Sequence, residues 1–292
     1  MSNTLFIGLG RMGRPMARHI SRHFPTVVHD ILRENIDLAV EDSEAAPLYE
    51  LNDIGVVDTM ILMLPTSTHV ESILVDSGLL EKLKPGALVI DMGSSVPDST
   101  RKLAAKAVER GIDYVDAPVS GGVAKATSGE LAILVGGEPR AVERARPYLE
   151  AVGKEIVVVG GNGAGHAAKA INNLVSATNL AVATEALIRG RAAGIAPERM
   201  IAVLNTSTGM SQASQVKFPN HILTETYASN FAYDLMLKDL GIAMGIETPN
   251  GATPVTQASY ELLSRVRELL GEYPDHTEIT RAYERYFNTP II

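Results

Sequence analysis

The chain of 292 residues contains no cysteine and no tryptophan, and only 5% of it is aromatic. Without thiols there is no disulfide framework, no thiolate nucleophile and no cysteine-ligated zinc. The same absence fits a reducing, cytoplasmic setting. No uninterrupted apolar stretch is long enough to span a bilayer. The opening MSNTLFIGLG lacks the basic region and cleavage site of a secretory leader, so its apolar run is expected to be a strand. Positive charge is in deficit, with 26 Lys and Arg against 34 Asp and Glu and a formal net charge of −8. A general nucleic-acid binder needs a basic surface to neutralise phosphates, so neither nucleic acid nor membrane is an expected partner. His19, His23, His29, His69, His221 and His276 show no HExxH-type spacing, and no metal is expected. Low-complexity tracts and short internal repeats are also missing.

What is present is an alternation of strand-like and helix-like segments. Thr4–Gly8, Thr26–His29, Thr59–Leu64, Ala87–Ile90, Tyr114–Val115, Leu131–Val135 and Ile156–Val159 read as strands. Met12–His23 and Pro97–Arg110 have helical spacing. Strands alternating with helices imply parallel pairing and an α/β sheet. The stretch Ile31–Val57 follows the helical pattern poorly, and Glu41–Glu44 reads as a solvated acidic loop. The character changes at Gly160–Gly165. From Ala167 to about Arg191, Ala, Leu and Asn recur at helical spacing, and later helical stretches are divided by prolines. The expected division is an α/β domain over residues 1–162 and an all-helical domain over 163–292, entered by one long helix. The aromatic group at Tyr283–Phe287 reads as helix packing.

The first chemical motif is Gly8-Leu9-Gly10-Arg11-Met12-Gly13, directly after a strand and directly before a helix. In such a GxGxxG turn the first glycine permits the tight bend. The second lets backbone approach a pyrophosphate, and the third lets helix and strand pack closely. The helix N-terminus then offers free N–H groups and a positive dipole end to the anion. Asp30 ends the second strand, where a carboxylate can accept from both ribose hydroxyls of NAD and repel the 2′-phosphate of NADP. NAD is therefore expected over NADP, with Arg33 the residue that can still meet a 2′-phosphate.

Four blocks in order carry a resemblance: FIGLGRMGRPMA at Phe6–Ala17, DAPVSGG at Asp116–Gly122 continuing to LAILVGG, GAGHAAKAINN at Gly163–Asn173, and LKDL at Leu237–Leu240. Over nearly its whole length the chain resembles the β-hydroxyacid dehydrogenase family, whose members include 3-hydroxyisobutyrate dehydrogenases and tartronate semialdehyde reductases. The resemblance implies a Rossmann-type, doubly wound parallel sheet followed by an all-helical domain, with the active site in the cleft. It implies that Leu64, Pro65 and Ser94 line the cofactor site beside the Gly8–Gly13 turn, and that Lys238 sits at the nicotinamide end. It assigns the substrate carboxylate to Ser120, Gly121 and Gly122, the catalytic role to Lys169 and substrate binding to Asn173. A homo-oligomer, dimer or tetramer, is expected from the same likeness. There are departures: Gly93 stands where serine is common, and Met210 follows the glycine of Asn205–Ser211 where arginine is often found.

The residue types suit the chemistry. Oxidising an alcohol with NAD removes a hydride to the cofactor and a proton to the protein. A partly desolvated lysine can accept that proton and return it in the reverse direction. Lys169 lies among Ala167, Ala168, Ala170 and Ile171, an apolar stretch in which a lysine needs a reason. Asn173 follows by four residues, on the same helical face. Asn172 points about 100° away and is expected to bond structurally. Ser120-Gly121-Gly122 offers backbone N–H groups and a hydroxyl as a carboxylate cradle without a fixed charge. His166, near Lys169, reads as a cap or an interdomain contact rather than a proton relay. The expected activity is hydride transfer between NAD and the 3-position of a small hydroxy acid. The competing readings are an imine reductase-like enzyme, against which Lys169 counts, and a non-catalytic dinucleotide-binding protein.

Overall fold

The computed structural model describes residues 3–54, 56–251 and 253–292. In chain order its first unit contains β1 (Thr4–Ile7), α1 (Gly13–Ser21), β2 (Thr26–His29), α2 (Arg33–Glu41), β3 (Ala46–Pro47), β4 (Thr59–Leu62), α3 (Ser67–Glu71), α4 (Leu79–Lys82) and β5 (Leu88–Asp91). There follow α5 (Pro97–Glu109), β6 (Asp113–Asp116), β7 (Val119–Ser120), α6 (Gly122–Ser128), β8 (Leu131–Gly137), α7 (Pro139–Val152) and β9 (Gly153–Gly160). The strands β1, β4 and β5 are buried at every position. They are apolar runs without alternation because helices cover both faces of a parallel sheet.

The strand order is β3-β2-β1-β4-β5-β6-β8-β7, with β9 on the other side of β8. The first six strands run in the order 3-2-1-4-5-6 of a doubly wound sheet, all parallel. The switch point lies between β1 and β4, where Thr4 pairs with both Thr26 and Thr59. Successive side chains go to opposite layers. Phe6, Ile61, Ile90 and Val115 join Met16 and Ile20 of α1 in one core. Leu5, Ile7, Met60, Leu62 and Val89 join Leu103, Ala104 and Ala107 of α5 in the other.

Parallel pairing does not hold throughout. β8 runs antiparallel to β6 and to β7. The connection from β7 to β8 is α6 and its flanks, too short for the crossover of a dozen or more residues that parallel neighbours require. The stretch Ile31–Val57, read poorly from sequence, holds α2 and β3. α2 buries only Ile36 and Ala39, while Ile31 is 93% exposed, so its apolar pattern is weak.

Residues up to Lys169 form one compact unit and Ala170–Ile292 a second; the division falls inside α8 (Ala164–Ala192). The second unit continues with α9 (Pro197–Thr206), a π-helical stretch at Ala213–Ile222, α10 (Tyr233–Met244), α11 (Pro254–Arg267) and α12 (Ile279–Phe287). Its core gathers Leu180, Leu187, Phe218, Ile222, Tyr233, Leu240, Leu263 and Tyr283. Tyr283 and Phe287 pack with ring centroids 5.6 Å apart, as helix packing.

One buried group here carries a pH prediction. His276 bonds Ser229 Oγ at 2.9 Å and the Phe231 carbonyl at 3.1 Å. Burial first, then Lys217, depress its imidazole from 6.5 to about 4. A depressed folded value means that the neutral ring stabilises the fold above pH 6.5, and that this stability is lost as pH falls towards 4. Melting temperature is therefore expected to fall over that window, and His276→Gln is expected to flatten the slope. An unchanged slope in the variant would remove His276 as the cause.

Candidate active site

In the first unit the chemistry gathers at the carboxyl ends of the strands, as in other doubly wound sheets. β1 ends at Ile7 and α1 begins at Gly13. Gly8 has φ +97°, and a side chain there would collide with the Met63 carbonyl oxygen. A side chain at Gly13 would collide with the Gly8 carbonyl. At Gly10 a Cβ would meet nothing within 4 Å. The two outer glycines close the turn, and the middle one presents open backbone. α1 has no side-chain cap and no acidic residue in its first turn, so its positive end suits a diphosphate. The residues present fit a dinucleotide.

The turn is tied to β2 by Asp30. Its carboxylate accepts the Leu9 N–H at 2.7 Å and, on the other oxygen, the Leu32 N–H at 2.9 Å and the Asn35 amide at 3.1 Å. Asn35 was not singled out from the sequence; its signal is its place in the first turn of α2, five residues after Asp30. Arg33 lies over the Tyr49 ring, 4.1 Å from the centroid, and Tyr49 donates to Asp37 at 2.8 Å.

The loop after β4 meets the loop after β5. Leu64 Cδ2 would lie 3.1 Å from a Cβ on Gly8, and the Leu64 carbonyl 2.6 Å from a Cβ on Gly93. Residue 93 is glycine because a serine would press into Leu64. Pro65 is exposed, and Ser94 is half-buried beside Gly93.

Ser120 pairs with Ala132 at the end of β7. Gly121 and Gly122 follow with φ +132° and +68°, conformations that L side chains rarely adopt. A Cβ on Gly121 would meet Lys125 Cδ at 2.5 Å and its Cβ at 2.8 Å. The Lys125 stem thus lies flat against the turn.

Lys169 is half-buried in α8, one turn after His166. His166 is 1% exposed; its ring bonds Thr100 Oγ1 at 2.8 Å, and its backbone N–H donates to Asp116 at 3.0 Å. All of these partners belong to the first unit.

Within the second unit, Asn173 is 8% exposed and donates its amide to Asp239 Oδ2 at 2.5 Å. Asn172 donates to Asn173 Oδ1 at 3.2 Å. Lys238 lies 3.3 Å from Asp239 Oδ1. The second unit therefore brings Asn173 and Lys238 together around Asp239, which is only 2% exposed. From the LKDL block the sequence reading gives a role to Lys238 alone, and none to Asp239. Met210, the departure in Asn205–Ser211, is 54% exposed.

These arrangements agree with what the chain is similar to. Residues 3–161 match the NAD-binding domain model of 6-phosphogluconate dehydrogenase, more than half of the chain. Residues 163–283 match the NAD-binding model of NADP-dependent 3-hydroxyisobutyrate dehydrogenase. The chain belongs to the β-hydroxyacid dehydrogenase family. It is 36% identical over 283 residues to 2-(hydroxymethyl)glutarate dehydrogenase of Eubacterium barkeri, covering 96% of this chain and 94% of that one. It is 36% identical over 271 residues to NAD-dependent L-serine dehydrogenase of Pseudomonas aeruginosa, covering 90% and 91%. Among solved structures it superposes on Mycobacterium tuberculosis 3-hydroxyisobutyrate dehydrogenase with L-serine at a TM-score of 0.88, with 28% identity over 97% of this chain and 99% of that one. The chain is thus a nicotinamide-dependent dehydrogenase of hydroxy acids, and the expected family, fold class and enzyme class hold. No helix among the described residues is long and apolar enough to cross a membrane.

Proposed function

We propose that the enzyme moves a hydride between NAD and the 3-position of a small 3-hydroxy acid, with Lys169 as the proton-transfer residue. The observation that carries this is the spacing on α8: Lys169 and Asn173 one turn apart, with the Asn173 amide oriented by buried Asp239. NAD supplies the hydride acceptor in oxidation and the donor, as NADH, in reduction. Lys169 takes the hydroxyl proton in oxidation and returns it to the developing alkoxide in reduction. One Asn173 N–H is spent on Asp239, which leaves the other to hold a substrate oxygen in register with Lys169. Ser120, Gly121 and Gly122 hold the substrate carboxylate through N–H groups and the serine hydroxyl. Gly8–Gly13 hold the diphosphate, Asp30 the adenosine ribose, and Leu64, Pro65, Ser94 and Lys238 the remainder of the cofactor. Residues 1–162 in this reading carry the cofactor and residues 163–292 the substrate-binding and oligomer-forming surfaces of a cytoplasmic homo-oligomer.

The relatives named for 2-(hydroxymethyl)glutarate and L-serine support the substrate class. Each of those compounds carries a primary alcohol on the carbon next to the one bearing the carboxylate, as does 3-hydroxyisobutyrate. The test is NADH formation from these three acids against their methyl esters. Turnover of the acids alone supports the reading; comparable turnover of the esters removes the cradle. An absence of turnover with any of them favours a binding protein or an imine reductase.

Lys125 favours a second reading of the substrate's distal group. Its stem lies on Gly121, and an ammonium turned from there towards the substrate would suit a second carboxylate. For an exposed lysine the effect is modest, about threefold to tenfold. Lys125→Gln is expected to lower kcat/KM for 2-(hydroxymethyl)glutarate by that factor relative to 3-hydroxyisobutyrate. An unchanged ratio would contradict it.

A further inference from the structure

The mechanism leaves the buried carboxylates of Asp91 and Asp116 without a task. Asp116, the last residue of β6, is 0% exposed. One of its oxygens accepts the Gly163 N–H at 2.8 Å and the other the His166 N–H at 3.0 Å. One is the N–H of the residue just before α8 and the other an N–H of its first turn, where donors have no partner inside the helix. We infer that Asp116 is the positioning residue for Lys169: it pins the first turn of α8 to β6 and so sets where the lysine, one turn further on, projects. The inference rests on the catalytic reading of Lys169.

Three observations support the pin. The first is fit. A Cβ on Gly165 would lie 2.5 Å from the Leu134 carbonyl and 2.8 Å from the Asp116 carbonyl, and one on Gly136 would lie 2.8 Å from both Asp116 carboxylate oxygens. The helix therefore meets β6 and β8 by backbone, with the carboxylate packed between glycines. The second is charge. A carboxylate at the positive end of a helix of 29 residues is favoured by the dipole. Burial pushes the Asp116 carboxyl up from its ordinary value, and the nearby His166 and the two N–H bonds act against that rise. The third is bracing. The His166 ring reaches Thr100 Oγ1 on α5 at 2.8 Å, and Thr100 in turn donates to the Val96 carbonyl at 3.2 Å. Nε2 of His166 lies 3.8 Å from Asp91, whose carboxylate is itself held by the Gly93 N–H and Ser95 Oγ, both at 3.0 Å. The start of α8 is thus tied to β6 and α5 by hydrogen bonds, with Asp91 of β5 nearby.

Rigid placement matters because a displacement of about 1 Å at a reacting group can cost about a hundredfold in rate. The test is Asp116→Asn, which keeps the shape but turns an N–H donor towards one of the two N–H groups. It is expected to lower kcat by about tenfold to a hundredfold while NAD affinity and substrate KM stay within about threefold. Hydrogen exchange at residues 163–169 is expected to rise at least tenfold. Thr100→Val, which removes the brace and leaves Asp116, should move kcat and exchange in the same direction by less. It also decides the matter if Asp116→Asn does not fold. Unchanged exchange, or faster exchange with unchanged kcat, would overturn the inference. Lys169→Ala is measured alongside. Retained turnover there would remove the catalytic reading, while exchange at the first turn of α8 still decides whether Asp116 pins it.

Discussion

Replacing Lys169 by alanine is expected to lower kcat by about 10²–10⁴-fold, the usual contribution of a general acid–base group, while NAD affinity stays within about twofold. The separation follows from the chain. The diphosphate turn is Gly8–Gly13 after β1, whereas Lys169 lies in the first turns of α8. Lys169→Arg should not restore activity, because a guanidinium does not deprotonate in proteins and its planar fork differs from an ammonium. Oxidation by the wild type should quicken as pH rises, since only the neutral amine accepts the proton, and that rise should be missing in the alanine variant. Steady-state kinetics paired with calorimetric titration of NAD measure both halves. A variant that keeps most of its kcat and the wild-type pH profile would leave Lys169 a structural residue.

The second large effect is at Asp30. The wild type should prefer NAD to NADP in kcat/KM, because the carboxylate accepts ribose hydroxyls and opposes a 2′-phosphate. Asp30 also holds the Leu9 N–H at 2.7 Å, so it shapes the turn as well as reading the ribose. Hydrogen bonds to a charged group contribute about 1.5–3 kcal/mol, so Asp30→Ala should weaken NAD by roughly tenfold to a hundredfold. NADP should lose less, because a repulsion is removed together with the bond. Arg33 lies on Tyr49, and moving to a 2′-phosphate would cost it that contact. The measurement is kcat/KM for each cofactor with one substrate. Equal values in the wild type would contradict the assignment and turn attention to Arg33.

The parts of this protein that sequence exposes are those whose function and fold share one short segment. Gly8–Gly13 is readable because strand, turn and helix follow one another and each glycine has a steric task. Lys169 and Asn173 are readable because helical spacing puts them on one face. The residues that went unread act across the chain. Asp239 orients Asn173 from α10, Asp116 holds α8 from β6, and the Lys125 stem lies on Gly121 only because α6 turns back. No local pattern announces such pairs. The reversal of β8 has a different cause: apolar runs identify strands but carry no direction, and only the shortness of the link through α6 shows that a parallel crossover is impossible. α2 was read poorly because a helix that buries two residues leaves little periodicity to detect.

The central claim is that a hydride leaves the 3-position of a 3-hydroxy acid for NAD. It is tested most directly with 3-hydroxyisobutyrate carrying two deuterium atoms on the hydroxymethyl carbon, of which one transfers and one stays on the aldehyde. The account predicts that deuterium appears in the reduced nicotinamide ring, with none lost to water, and that both the acid and the cofactor are turned over in equal amounts. Unlabelled NADH formed from the labelled acid, or deuterium released to solvent, would contradict it.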